Sequence, residues 1–321
     1  MKKILITLAA LFAAFAGALA QEAAPQPADS AAVAEPAPQY WKKYAIFELG
    51  FNQTSLWSWA AGGYNSATLR AGVDANLNYA RDLTTWTNRL QLMYGFLWSA
   101  DKDNLIQKSA DLMQFESRFG YRTAADSKWK YSADLTFKSQ FSNSYDSYKF
   151  DEATKRWNGK LKSGLFSPGY LTFGLGMAWD PAPWFSLNLS PVTGGFIFCG
   201  IPELRQKYGM PLVEDEYADY LFQLGAQLKM NLKAAIPDVM TYETQIILFT
   251  DYLNHPFAKN RVNWDNKFGF LVGKYIKLAL DTWLIYDPVV LIADKNGNNP
   301  TQRVQFKEFF SFNFTYTFGS K

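Results

Sequence analysis

From Tyr44 onward, apolar and polar residues alternate with a period of two, the mark of β-strands with one apolar face. Between Leu69 and Ala80, one face carries Leu69, Ala71, Val73, Ala75, Leu77 and Tyr79, and the other Arg70, Gly72, Asp74, Asn76 and Asn78. In Tyr220 to Lys233, Phe222, Leu224, Ala226, Leu228 and Met230 oppose Gln223, Gly225, Gln227, Lys229 and Asn231. Lys128 to Phe141 sets Trp129, Tyr131, Ala133, Leu135 and Phe137 against Lys130, Ser132, Asp134, Thr136 and Lys138. The same template predicts about twelve strands, over 43–53, 66–80, 84–99, 110–124, 128–142, 168–180, 183–198, 217–233, 239–253, 261–273, 275–287 and 303–318. Pro191 alone falls inside a strand, where a missing N–H predicts a bulge or a break in pairing.

The connections alternate in length. Arg81-Asp82-Leu83, Ala125-Asp126-Ser127, Asp180-Pro181-Ala182, 234–238 and Gly273-Lys274 are short, whereas 144–167, 199–216 and 288–302 are long. Short turns at one end and long loops at the other describe an all-β fold, a closed antiparallel transmembrane β-barrel with short periplasmic turns and long extracellular loops. An even strand number places both chain ends on the periplasmic side. Alternation alone does not distinguish an apolar face buried in a core from one turned to lipid. Three features favour lipid: the strands exceed the globular length and suit a tilted span, the polar face is too charged for a dry core, and rings gather near strand ends on the apolar face. Tyr79, Trp86, Trp98, Tyr121, Trp129, Tyr220, Tyr242, Tyr252, Trp264, Tyr286 and Tyr316 are so placed, as interfacial rings are. Closure leaves no unpaired edge in the bilayer.

Composition then agrees. The chain is 17% aromatic and 19% charged, with a single cysteine, which excludes a disordered chain and a disulfide scaffold. A mean hydropathy of −0.19 argues against a bundle of membrane helices. Lys2 and Lys3, the apolar run Ile4 to Ala18 and the Ala18-Leu19-Ala20 site read as a signal peptide over 1–20. Residues 21–40, with Pro25, Pro27, Pro36 and Pro38, read as a periplasmic tether, followed by the barrel over 41–321. Loss of Lys2 and Lys3 leaves 30 basic against 29 acidic residues and no basic tract, so nucleic acid is not an expected partner. The expected partners are outer-membrane lipid and the barrel insertion machinery, with small solutes as candidates for passage. Cys199 reads as a packed small residue.

The inward face is where function would sit. The register places Glu48, Asp74, Glu116, Asp134, Glu243, Asp265 and Asp281 inside, with Arg70, Arg89, Arg118, Arg122, Lys130, Lys138, Lys229, Lys233, Lys267, Lys277 and Lys307. Two readings remain open: paired charges that fill a plugged barrel with a binding or scaffolding role, or a narrow, weakly anion-preferring passage that uses the basic excess. No catalytic, cofactor or metal residue is assigned. An enzyme is not expected: His255, the single histidine, lies in a loop four residues after Asp251 and reads as solvated. Other bases are possible for an outer-membrane hydrolase, but no spacing singles one out. Asp294 to Asn299 lacks the spacing and closing Glu of a calcium loop, and Glu214-Asp215-Glu216 reads as an acidic cluster that is solvated or meets surface lipid through bridging ions, with weak cation binding as the alternative. Trp57, Trp59, Gly62 and Gly63 in the first long loop could form a ligand surface or a constriction.

Phe51-Asn52-Gln53-Thr54-Ser55 and Trp59-Ala60-Ala61-Gly62-Gly63 resemble the opening of an uncharacterised family of Gram-negative outer-membrane barrels, a domain of unknown function. Similar segments follow at Ser167 to Thr172, Leu189 to Gly194, Leu284 to Asp287 and Gln305 to Glu308. The resemblance runs over roughly residues 41 to 318. It implies an outer-membrane barrel and supplies no catalytic residues. The last strand, with Phe306, Phe310, Phe312, Phe314, Tyr316 and Phe318 on one face, resembles the aromatic terminal strand of such proteins, although Gly319-Ser320-Lys321 follows it.

Overall fold

The computed structural model describes residues 39–55, 65–100, 105–253, 260–288, 291–292 and 301–319. The signal peptide, nearly all of the tether, Trp57, Trp59, Gly62, Gly63, His255 and 294–299 lie outside the described residues.

Twelve long strands close into one barrel. They are β1 (Trp41–Thr54), β2 (Ser66–Arg81), β3 (Thr84–Ser99), β4 (Leu105–Arg122), β5 (Trp129–Ser139), β8 (Gly169–Ala182), β9 (Phe185–Phe198), β12 (Tyr220–Ile236), β13 (Met240–Asp251), β14 (Asn260–Leu271), β15 (Ile276–Tyr286) and β18 (Gln305–Gly319). Each pairs antiparallel with its chain neighbour in the ring, and β1 pairs with β18 to close it. Three small hairpins stand in the long loops: β6 (Ser144–Asp151) with β7 (Arg156–Ser163), β10 (Leu212–Val213) with β11 (Glu216–Tyr217), and β16 (Leu291–Ile292) with β17 (Thr301–Gln302). A single helical turn, α1, spans Pro202–Arg205.

Every strand expected from alternation is present, with shifted ends. The fourth starts at Leu105 rather than 110, and the fifth stops at Ser139 rather than 142. The β6–β7 hairpin was not expected. Its alternation is local, with Arg156, Asn158, Lys160 and Lys162 exposed and Trp157 and Leu161 half-buried, in a stretch otherwise read as a connection. Tight turns at the short end use residues that tolerate a left-handed backbone: Asp82, Asp238 and Gly273 have φ of 52°, 58° and 80°.

Pro191 lies in a bulge. On the β12 side the register steps from Gly225↔Thr193 to Gln227↔Ser190, and on the β8 side from Leu175↔Val192 to Met177↔Leu189. A β-carbon at Gly176 would overlap the carbonyl oxygen of Leu189, so the bulge presses backbone against backbone there.

The barrel is apolar outside and polar inside. Phe51, Leu69, Trp86, Phe119, Phe173, Leu189, Phe270 and Phe312 are exposed on the outer face, while Arg70, Asn76, Asp134, Asn188, Lys229 and Asp281 are buried. Near the short turns the outward rings touch across strands: Trp41 with Tyr79 (4.9 Å between centroids), Trp129 with Trp179 (6.1 Å) and Tyr275 with Tyr316 (6.0 Å). Such a ring girdle belongs at the membrane interface. Among the described residues no helix is long and apolar enough to cross a membrane; the strands make the crossing.

Candidate functional site

Side chains on directly paired residues of an antiparallel ladder share a face, so the inward set follows from the register. Arg70 pairs with Gly50, Asp74 with Ile46 and Gln91, Arg89 with Asn76 and Glu116, and Arg118 with Asp134. Lys130 and Lys138 pair with Ala178 and Tyr170, Lys229 with Asn188, Glu243 with Lys233 and Lys267, and Lys267 with Asp281. Asp265 pairs with Gln245 and Trp283.

These side chains do not simply line the wall; several meet across it. Arg89 of β3 binds Asp74 of β2 through Nε (3.0 Å) and Nη2 (2.5 Å), and reaches Glu243 of β13 through Nη1 (2.6 Å). β3 and β13 stand on opposite sides of the twelve-strand ring. A circular barrel of that size would measure roughly 24 Å across, from a strand spacing of about 4.8 Å and a tilt of about 40°. An arginine and a glutamate joined end to end span only about 15 Å, given bonds of about 1.5 Å. The barrel is therefore flattened at this level, and Arg89 bridges its short axis. Lys233 adds a longer contact to Glu243 at 3.5 Å.

Further ion pairs fill the middle and the periplasmic half. Lys229 of β12 reaches Glu116 of β4, and Lys277 of β15 reaches Glu48 of β1. Arg118 bonds Asp134 (2.6 Å) and Ser186 of β9 (2.9 Å). Asn188 donates to the same Asp134 and accepts from Ser132 (2.7 Å). Lys130 pairs with Asp180 at 2.7 Å, and Arg70 with Asp281 at 2.8 Å, its guanidinium lying over Phe309. Charges removed from water are tolerated when paired and hydrogen-bonded in this way. Asp265, Lys138 and Lys267 also sit on the inward face, with no ion pair within 4.0 Å among the described residues.

The extracellular mouth carries a second feature. The connection after β9 folds back as a cap, in which Leu204 of α1 and Met210 are buried with Cys199 against Ile197. Around them pack Tyr170 and Leu221, inward residues of β8 and β12, and Leu161 of the β6–β7 hairpin. Arg205 ties the cap together by donating to Cys199 O (3.2 Å) and Tyr217 O (2.9 Å), and Ile201 N donates to Ser167 Oγ at 3.1 Å. Burial pushes the Cys199 thiol up, away from the reactive thiolate. In the neighbouring hairpin, bonds from the Thr154 side chain and backbone hold the Asp151 carboxyl below its ordinary range. The cap was missed in the sequence because its apolar residues, Leu204, Met210, Leu212 and Val213, have no strand or helix period; their clustering in a loop was the available signal.

The remaining candidates separate. Asp251 accepts from Gln223 (3.1 Å) and from Leu253 N (2.9 Å), while His255 lies outside the described residues. Glu214 and Asp215 form the left-handed tip of the β10–β11 hairpin, so turn geometry accounts for the acidic run. Among the described residues no cluster of His, Cys, Asp and Glu could hold a metal ion.

A closed ladder with a lipid-facing apolar exterior, a ring girdle and a charged interior defines an outer-membrane β-barrel. Residues 51–145 match a family model described as a protein of unknown function (DUF3078). That stretch contains both opening segments of the resemblance described above, and the family is, as the resemblance implied, one without an assigned function. No curated protein matches the chain. Among solved structures, the chain is similar to the COG4313 outer membrane channel from Pseudomonas putida F1, at 12% identity over 90% of this chain and 99% of that one, with a TM-score of 0.35. The P. putida toluene transporter TodX matches at 9% identity over 88% and 91% of the two chains, TM-score 0.31. The translocator domain of the autotransporter NalP from Neisseria meningitidis matches at 8% over 98% and 95%, TM-score 0.30. At such scores no residue and no ligand carries over.

Proposed function

We propose that this outer-membrane barrel is a narrow passage for small solutes, preferentially anions, held closed by the Arg89 bridge. The observation that supports the reading is the pair of contacts from one guanidinium to Asp74 and Glu243, which joins opposite walls of a flattened barrel. Anion preference rests on the basic excess of the inward set read from the sequence, eleven bases against seven acids, which Asp180, Asp251 and Arg261 join in the structure. It rests also on Lys138 and Lys267, which lie near Asp265 without a salt bridge among the described residues. Cations without a partner, in a lumen of lower dielectric than water, attract anions and repel cations.

Planar-bilayer recording tests the reading. The unmodified protein is expected to stay closed at low voltage with rare openings. Arg89→Ala and Glu243→Ala each remove a charge-assisted bond of about 2 kcal/mol and are expected to raise the open probability by tenfold or more, with a reversal potential on the anion side. A large, steady conductance from the unmodified protein would refute closure by Arg89. Silence from both variants would favour the plugged, scaffolding barrel.

A further inference from the structure

The seam that closes the barrel differs from the other strand pairings among the described residues. The β1–β18 ladder runs from Tyr44↔Gly319 to Phe51↔Phe312 and stops, although β1 continues to Thr54 and β18 begins at Gln305. β1 stays paired with β2 as far as Thr54, and β18 with β15 as far as Gln305. Elsewhere the ladder ends together with, or next to, the end of one of its strands, as at Met113↔Ser139, Gly225↔Asp251 and Thr250↔Asn260. Here both strands continue past the last rung and diverge toward the extracellular side. Where the next rung would be, the Asn52 side chain donates to Phe310 O at 2.8 Å.

Both sides of this fork are chemically distinctive. Ser311 and Asn313 point inward beside Gly50, each 1% exposed, and Ser311 Oγ and both amide atoms of Asn313 have no hydrogen-bond partner among the described residues. Buried polar atoms without partners are costly, so they favour any ligand that supplies partners. Further along the inward face of β18, Lys307 has no carboxylate within salt-bridge reach among the described residues; it donates to Ser109 O at 3.3 Å and lies over the Trp283 ring. On the lipid side the fork is flanked by Phe51, Phe306, Phe310 and Phe312, all exposed, with the exposed Glu308 between Phe306 and Phe310. A cation and orphan polar groups inside, with phenyl rings outside, match one ligand chemistry: an anionic head group carrying an apolar chain.

We propose that the extracellular part of the β1–β18 seam is a lateral portal that binds an anionic amphiphile. Its head group engages Lys307 and Ser311 from the lumen, and its chain leaves between the rings into the outer leaflet. Parting the strands there breaks one side-chain bond and no backbone rung, so the opening is compatible with a membrane-embedded barrel. The portal goes beyond the axial passage and does not depend on it.

Labelling from the lipid phase tests the portal. The full-length protein, with Cys199→Ser to remove its single thiol, is reconstituted in vesicles carrying a maleimide on an alkyl chain. Ser311→Cys is expected to label several times faster than Ser132→Cys, an inward position on β5. Adding Asn52→Ala should raise the Ser311→Cys rate by about fivefold, the ratio that one neutral hydrogen bond sets. Oleate should protect the thiol at about tenfold lower concentration than oleyl alcohol, because only oleate carries the anionic head. Equal labelling of the two positions, no effect of Asn52→Ala, or equal protection by the two amphiphiles would overturn the proposal. None of these readouts involves conductance, so failure here and failure of the Arg89 gate remain distinguishable.

Discussion

Lys229 and Glu116 meet across the lumen with side chains only 8% and 14% exposed. An ion pair so enclosed adds little against an apolar alternative, but removing one partner strands the other charge. Lys229→Met is therefore expected to destabilise the barrel by roughly 3 kcal/mol, and adding Glu116→Gln should recover most of that loss. Equilibrium urea unfolding in lipid vesicles measures both; a double variant no more stable than the single one would show that the pair contributes only through packing. At this scale, alternation was enough to say that Arg89, Glu116, Lys229 and Glu243 share the inner face. It was not enough to say which meet, because Arg89 and Glu243 lie 154 positions apart and their contact depends on how far the barrel is flattened. Nor does the residue pattern mark Asn188, which reads as an ordinary polar strand position and is yet almost fully buried between Asp134 and Ser132.

Among the elements, β9 shows both what local sequence announces and what it conceals. Pro191 cannot donate to a ladder, so a disturbance of β9 was expected, and the bulge lies there. Its structural counterparts, Gly176 on β8 and Gly225 on β12, look like any strand glycines until the backbones they allow to approach are seen. Gly176→Ala must push Leu189 away and is expected to cost about 2 kcal/mol or more, whereas Gly72→Ala, with no atom closer than 3.5 Å to the added carbon, should be nearly neutral. The loss of heat-resistant electrophoretic mobility compares the two, and equal behaviour would mean that the bulge relaxes freely. The cap and the β6–β7 hairpin belong to the same lesson. Loop chemistry carries no long period, so the union of Leu204, Met210 and Cys199 with Tyr170 of β8 and Leu221 of β12 arises only once the barrel has placed its mouth beneath them.

For the whole molecule, the proposed passage meets two obstacles in series. The Arg89 bridge draws β3 and β13 together below, and the cap rests on the β8, β9 and β12 walls above. The bridge acts across the short axis of the flattened barrel, while among the described residues the cap packs on the β8, β9 and β12 side of the mouth. If solutes pass along the axis, the resistances add, and removing one closure leaves the other limiting. Leu204→Asp buries a carboxylate in the apolar core of the cap, a cost of several kcal/mol that unseats it without touching the barrel ladder. The release has its own readout, because Cys199, fully buried beneath Leu204, should then react with a water-soluble maleimide. Arg89→Ala alone should give openings of small amplitude, Leu204→Asp alone should leave the protein closed, and the double variant should conduct more than the two singles together. Simple additivity, with Cys199 freely reactive, would mean that the cap covers a part of the mouth that solutes do not use.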